Sequence, residues 1–66
     1  MDKTAHQAPL DIDAAALYIG VTLPFMRRMI RERRIAYLKI GRYVRFDPAD
    51  LDAFVAAGRV ETKANT

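Results

Sequence analysis

The chemistry this chain is equipped for is carried by arginine. Eight of its eleven basic residues, Arg27, Arg28, Arg31, Arg33, Arg34, Lys39, Arg42 and Arg45, lie within positions 27–45 beside a single acid, Glu32, so that stretch carries a net charge of +7. The remaining residues, three basic against seven acidic, sum to −4. Folding such a sequence gives a molecule with one strongly basic region and acidic flanks, and the natural partner of that region is a polyanion. Arginine suits the task because its planar fork of N–H groups grips phosphate, or the O6/N7 edge of guanine, through two parallel hydrogen bonds.

Other chemistries find little support. The chain has no cysteine and no serine, which removes thiolate and serine nucleophiles, disulfides and cysteine-type zinc sites, and fits a reducing compartment. Tyr18, Tyr37 and Tyr43 are available nucleophiles, but 66 residues with one histidine, His6, do not assemble a pocket holding a base and an oxyanion clamp. No enzyme, cofactor, metal or small-molecule substrate is expected. A membrane-surface role for the basic helix would need its apolar face free for lipid, and that face is needed for the core. No apolar run approaches a membrane span, and residues 1–10 lack the layout of a signal peptide, so the expected location is the cytoplasm.

The elements that position these side chains are legible from periodicity and punctuation. Residues 1–9, ending in Pro9, read as an N-terminal arm and residues 60–66 as a polar tail, leaving 10–59 as one small domain. A first helix starts at the N-cap Asp11, with Asp13 in its first turn, and ends at Gly20. Its buried stripe is Ile12, Ala15, Ala16 and Ile19. Leu17 falls off the stripe and hints at a protein contact, with a neighbouring copy or a partner protein. Thr22 caps a second helix, predicted over 23–33, in which Pro24 is tolerated because it lies in the first turn.

On that helix Met26, Met29 and Ile30 form one apolar face, while Pro24, Arg27, Arg28 and Arg31 centre roughly 160° away from it. A solubilising face usually alternates acid and base four residues apart, whereas this one reads as arginine without acidic partners. Like charges at that spacing cost stability, and an external anion offsets the cost.

After Arg34 the period changes to two. Leu38, Ile40, Val44 and Phe46 are expected to face the helices, with Lys39, Arg42, Tyr43 and Arg45 outward on a β-hairpin that turns at Gly41–Arg42. A last helix has Asp47 as N-cap, Pro48 at its first position and Asp50 in its first turn; Leu51, Phe54 and Val55 form its stripe and Gly58 its left-handed end. Its acids Asp50 and Asp52 suit a structural role rather than phosphate contact.

Helix, tight turn, basic helix, basic hairpin and closing helix is the order of a winged helix-turn-helix, an α+β, mostly helical fold. Three segments add a resemblance. Leu-x-Ile-x-x-Ala-Ala-x-Tyr-Ile-Gly-Val-Thr at 10–22, Ile-Gly-Arg-x-Val-Arg-Phe at 40–46 and Asp-Leu-Asp-Ala-Phe at 50–54 make the chain similar to the excisionase family, with its MerR-like DNA-binding domains. Two positions depart from the family's usual pattern: Ala14 replaces a glutamate, and Phe25 replaces a small hydroxyl residue and adds an aromatic flank to the second helix. The resemblance implies a bacteriophage excisionase, a recombination directionality factor that binds and bends attachment-site arms, assists a tyrosine integrase in excision and disfavours integration. A small transcriptional repressor is the alternative with the same physics. The expected DNA-binding residues are Thr22, Pro24, Arg27, Arg28, Arg31, Lys39, Arg42, Tyr43 and Arg45, with Thr22 equally well explained as a plain helix cap.

Overall fold

The computed structural model describes residues 8–61, and expectations about His6, most of the N-terminal arm and the end of the tail lie outside the described residues. The elements run α1 (Ile12–Ile19), α2 (Leu23–Arg31), β1 (Leu38–Ile40), β2 (Tyr43–Arg45) and α3 (Pro48–Ala57). This is a small α+β fold of the winged-helix kind, with α1 packed on both other helices and the two strands forming an antiparallel hairpin.

Each helix begins where its sequence provides an acceptor for an orphan backbone N–H. Asp11 Oδ1 accepts from Ala14 N at 2.8 Å, Thr22 Oγ1 from Phe25 N at 3.2 Å, and Asp47 Oδ1 from Ala49 N at 2.9 Å. The tight turn after α1 is closed by Gly20 at φ 74°, with Gly20 N donating to Leu17 O and Val21 N to Ala16 O. That pair of bonds satisfies two of the helix's last carbonyls and reverses the chain into α2 within three residues.

The core consists of Ala15, Ala16, Met26, Met29, Ile35, Phe46 and Leu51, with Ile12, Ile19, Ile30 and Phe54 packed partly against it. The α1 stripe and the apolar face of α2 are therefore as their periodicity requires. The alanines keep α1 thin, which lets its backbone approach its neighbours. Leu17 is 84% exposed, off the stripe as expected. Ile35, in the connection between α2 and β1, is buried although no helical or strand period marks it.

Three expectations are corrected. Helix α2 stops at Arg31 rather than at residue 33, because Glu32 caps it and Arg33 turns left-handed at φ 57°. Gly58 does follow α3, but at φ −87°, so its left-handed freedom is not used there; the helix unwinds through bonds from Gly58 N to Val55 O and Arg59 N to Ala56 O. Val55 is 52% exposed rather than part of the α3 stripe, which is carried by Leu51 and, in part, Phe54.

The hairpin brings a fourth correction. Leu38 pairs with Arg45, Lys39 with Val44 and Ile40 with Tyr43. Directly opposed residues share a face, and alternate residues along a strand share it too. Leu38, Ile40, Tyr43 and Arg45 are therefore on one face, and Lys39, Val44 and Phe46 on the other. Only Val44 and Phe46 of the four expected inward residues lie on the inner face; Leu38 and Ile40 are exposed, Ile40 by 51%.

The hairpin is joined to the body at its far end. Leu10 and Phe46 form an antiparallel bridge, Leu10 N donating to Phe46 O at 2.8 Å and Phe46 N to Leu10 O at 2.7 Å. Phe46 is fully buried, so this bridge fixes the strand β2 at a core residue and ties the segment before α1 to the base of the wing.

Candidate nucleic-acid interface

Helix α2 presents two chemically opposite faces. Met26 and Met29 are buried in the core, while Pro24, Arg27, Arg28 and Arg31 are exposed. Pro24 lies in the first turn, where its missing N–H has no intrahelical partner. Thr22 is exposed and occupied as the N-cap; its oxygen accepts from Phe25 N. Phe25 turns away from the arginine face: its ring meets Phe54 of α3 edge-on, with centroids 6.5 Å apart. The aromatic thus packs α2 on α3 and does not flank the basic surface.

The arginine face is not wholly free of acid. Arg28 Nε donates to Glu32 Oε2 at 3.1 Å, and Arg34 Nη1 stands 3.6 Å from Glu32 Oε1. Residues four apart on a helix are neighbours, and Glu32 follows Arg28 by four. The expectation of an arginine face without acidic partners is corrected at this one position. Hydrogen bonding from Arg28, with the charge of Arg34 behind it, holds the Glu32 carboxyl below its ordinary value. Among the described residues neither Arg27 nor Arg31 forms an ion pair. Glu32 is the residue of this surface that helical-wheel reasoning on the arginines alone misses. Its signal was present as the sole acid among eight bases.

The wing arranges its cations around an aromatic ring. Gly41, at φ 61°, supplies the first position of a two-residue turn and leaves Arg42 at the tip. The Arg42 guanidinium lies 5.5 Å from the centre of the Tyr43 ring, and that of Arg45 lies 5.1 Å from it. Attraction to the π-face of the ring limits the rotamers open to each guanidinium. Arg45 is half-buried and donates from Nη1 to Val44 O at 2.9 Å, whereas Arg42 and Tyr43 are exposed. Lys39, expected beside Tyr43, is exposed on the opposite face of the hairpin, level with Val44.

Among the described residues no group of three or more histidine, cysteine, aspartate or glutamate side chains is placed to hold a metal ion. An open cavity of about 450 Å³ between Phe25, Arg34, Phe54 and Val55 is walled mainly by apolar side chains. No described helix is long and apolar enough to cross a membrane.

A capped helix, a glycine turn, a second helix with an exposed arginine face and a basic hairpin define a winged helix-turn-helix, a class of DNA-binding domain. The family model described as "Helix-turn-helix domain" matches residues 9–59, most of the chain, and the chain belongs to that family. No curated protein and no solved structure matches it.

Proposed function

We propose that this protein binds double-stranded DNA sequence-specifically and acts as an excisionase, bending attachment-site arms so that a tyrosine integrase is directed toward excision. The observation that carries the DNA-binding part is the division of α2, with Met26 and Met29 in the core and Arg27, Arg28 and Arg31 in solvent. In a helix-turn-helix the second helix enters the major groove, where arginines meet guanine edges and phosphates. Thr22 and Pro24, at the start of α2, lie by the backbone. Arg42, Tyr43 and Arg45 of the wing, with Lys39 on its other face, contact the adjacent backbone or minor groove, and arginine is favoured wherever that groove is narrow. The excisionase role rests on the three segments that resemble that family.

Binding of this kind is strongly salt-dependent. If about six phosphates are neutralised, log K falls against log salt with a slope near −5. Footprinting across the DNA that flanks the protein's own gene, paired with an excision assay with and without the neighbouring integrase, tests the role. Protection of repeated sites beside an attachment core, with excision dependent on the protein, supports the excisionase. Protection of a promoter alone replaces it with a transcriptional repressor, and salt-independent association removes the DNA-binding reading altogether.

A further inference from the structure

We infer that Glu32 is a positioning residue that orients the Arg28 guanidinium for guanine, making Arg28 the base-reading arginine of α2; this rests on the DNA-binding reading above. The geometry of the pair is specific about which atoms are used. Glu32 Oε2 accepts from Arg28 Nε at 3.1 Å, so the two terminal amino groups of the same guanidinium are left to point end-on into a groove. That is the pair of donors an end-on grip of guanine O6 and N7 uses. The carboxylate is itself held from its other oxygen by Arg34 at 3.6 Å, so Glu32 is braced on both sides. Arg27 and Arg31 have no such brace among the described residues. A guanidinium fixed before binding loses less rotamer freedom on recognition than one that must be ordered by the DNA.

Helix stability accounts for only part of the acid: Arg28 and Arg34 favour its charged form, while its place on the helix and the order of the pair work against it. Glu32 caps the C-terminal end of α2, where the helix dipole disfavours a carboxylate. Arginine preceding glutamate by four is also the less favourable order of the pair. The side chain repels phosphate as well, so Glu32 lowers indiscriminate affinity for DNA while aligning the arginine that reads a base. Both effects raise the ratio of specific to non-specific binding, the quantity that matters among many competing sites.

The test uses the full chain and a duplex selected by it from a random-sequence library, compared with a scrambled duplex and with the selected duplex carrying 7-deazaguanine at each guanine in turn. Wild type is expected to lose about tenfold in affinity at one guanine when N7 is removed. Arg28→Ala abolishes that penalty. Glu32→Ala sharply reduces it and binds the scrambled duplex at least as tightly as wild type does. Glu32→Asp keeps the charge but withdraws the carboxylate from Nε; it too reduces the 7-deazaguanine penalty, without the gain on scrambled DNA. Circular dichroism checks that each variant remains helical. A penalty unchanged in both Glu32 variants, or retained in Arg28→Ala, overturns the inference while leaving DNA binding intact. Wild type that binds no duplex overturns the DNA-binding reading itself.

Discussion

Gly20 and Arg33 occupy equivalent places in two copies of one helix-ending turn. Gly20 follows α1 at φ 74° and Arg33 follows the cap of α2 at φ 57°. In each, the left-handed residue donates to the carbonyl three before it, Leu17 O at 3.3 Å and Ile30 O at 3.0 Å. The next residue then donates five back, Val21 N to Ala16 O at 2.9 Å and Arg34 N to Met29 O at 2.8 Å. Glycine enters this conformation freely, whereas a residue with a Cβ is strained there by about 1–2 kcal/mol. The protein therefore carries in its α2 turn a strain it avoids in its α1 turn.

Exchanging the two residue types reverses that difference. Arg33→Gly relieves the left-handed strain but adds freedom to the unfolded chain, leaving a net stabilisation of about 0.5–1 kcal/mol. Gly20→Ala has open space for its methyl group, yet loses about 1 kcal/mol because φ stays positive. In a domain of this size 1 kcal/mol moves Tm by about 4–8 °C, so thermal unfolding separates the two variants clearly. Equal and small shifts in both would mean that the α2 turn is not held in this conformation.

The register of the wing makes a second prediction, since it separates apolar residues that look alike in sequence. Ile40→Ala removes a half-exposed side chain and is expected to cost under about 1 kcal/mol. Phe46→Ala empties a fully buried position next to Tyr37 and the Leu10 bridge, and is expected to cost about 3–5 kcal/mol, enough to unfold a marginal domain. Urea midpoints give the comparison. A loss at Ile40 as large as a core truncation would restore the arrangement in which Leu38 and Ile40 face the helices.

That arrangement shows where a sequence of this kind can and cannot be read. Caps at Asp11, Thr22 and Asp47 and the apolar faces of α1 and α2 were legible because each depends on residues within one or two turns. Leu38, Ile40, Val44 and Phe46 look like one alternating series in the sequence, but only Val44 and Phe46 share the inner face. A loop of two residues sets Ile40 opposite Tyr43, so the alternation changes phase across the turn. The information was present, in the spacing of Gly41 and Arg42. Ile35 and the Leu10–Phe46 bridge were not legible in the same way, since both depend on contacts between segments far apart in the chain. For the candidate site, the exposed arginines of α2 followed from the helical wheel. The Glu32 contact required asking what lies one turn beyond Arg28, and the two-arginine contact with Tyr43 required the strand register.

Under the proposed function, the wing's part in DNA binding separates into charge and preorganisation. Arg42→Ala removes the tip cation and is expected to weaken binding by about 1–3 kcal/mol or less, with the salt slope reduced by about 1. Tyr43→Leu keeps both arginines but removes the ring beside them, so affinity falls while the salt slope stays near its wild-type value. Titrations at several salt concentrations read both quantities. A change in slope for Tyr43→Leu equal to that of Arg42→Ala would show that the ring acts through the charges and not by ordering them.

The pH dependence of stability has a basic-side component that one contact isolates. Tyr18 of α1 donates its phenolic hydrogen to Asp52 Oδ1 of α3 at 2.9 Å, joining the two helices on the surface. That hydrogen bond, with smaller contributions from desolvation and the Asp52 charge, raises the Tyr18 pKa above the ordinary tyrosine value of 10.0. The bond exists only while the phenol keeps its proton. A folded-state pKa above the unfolded one means that the stabilisation is fully present below the unfolded value and is lost as pH rises through the folded one. Tyr18→Phe keeps the ring and deletes the donor, so it is less stable than wild type at neutral pH. The difference between the two urea midpoints should narrow through the alkaline range and vanish once Tyr18 is ionised. A difference that stays constant across that range would assign the loss to packing of the hydroxyl rather than to its bond with Asp52.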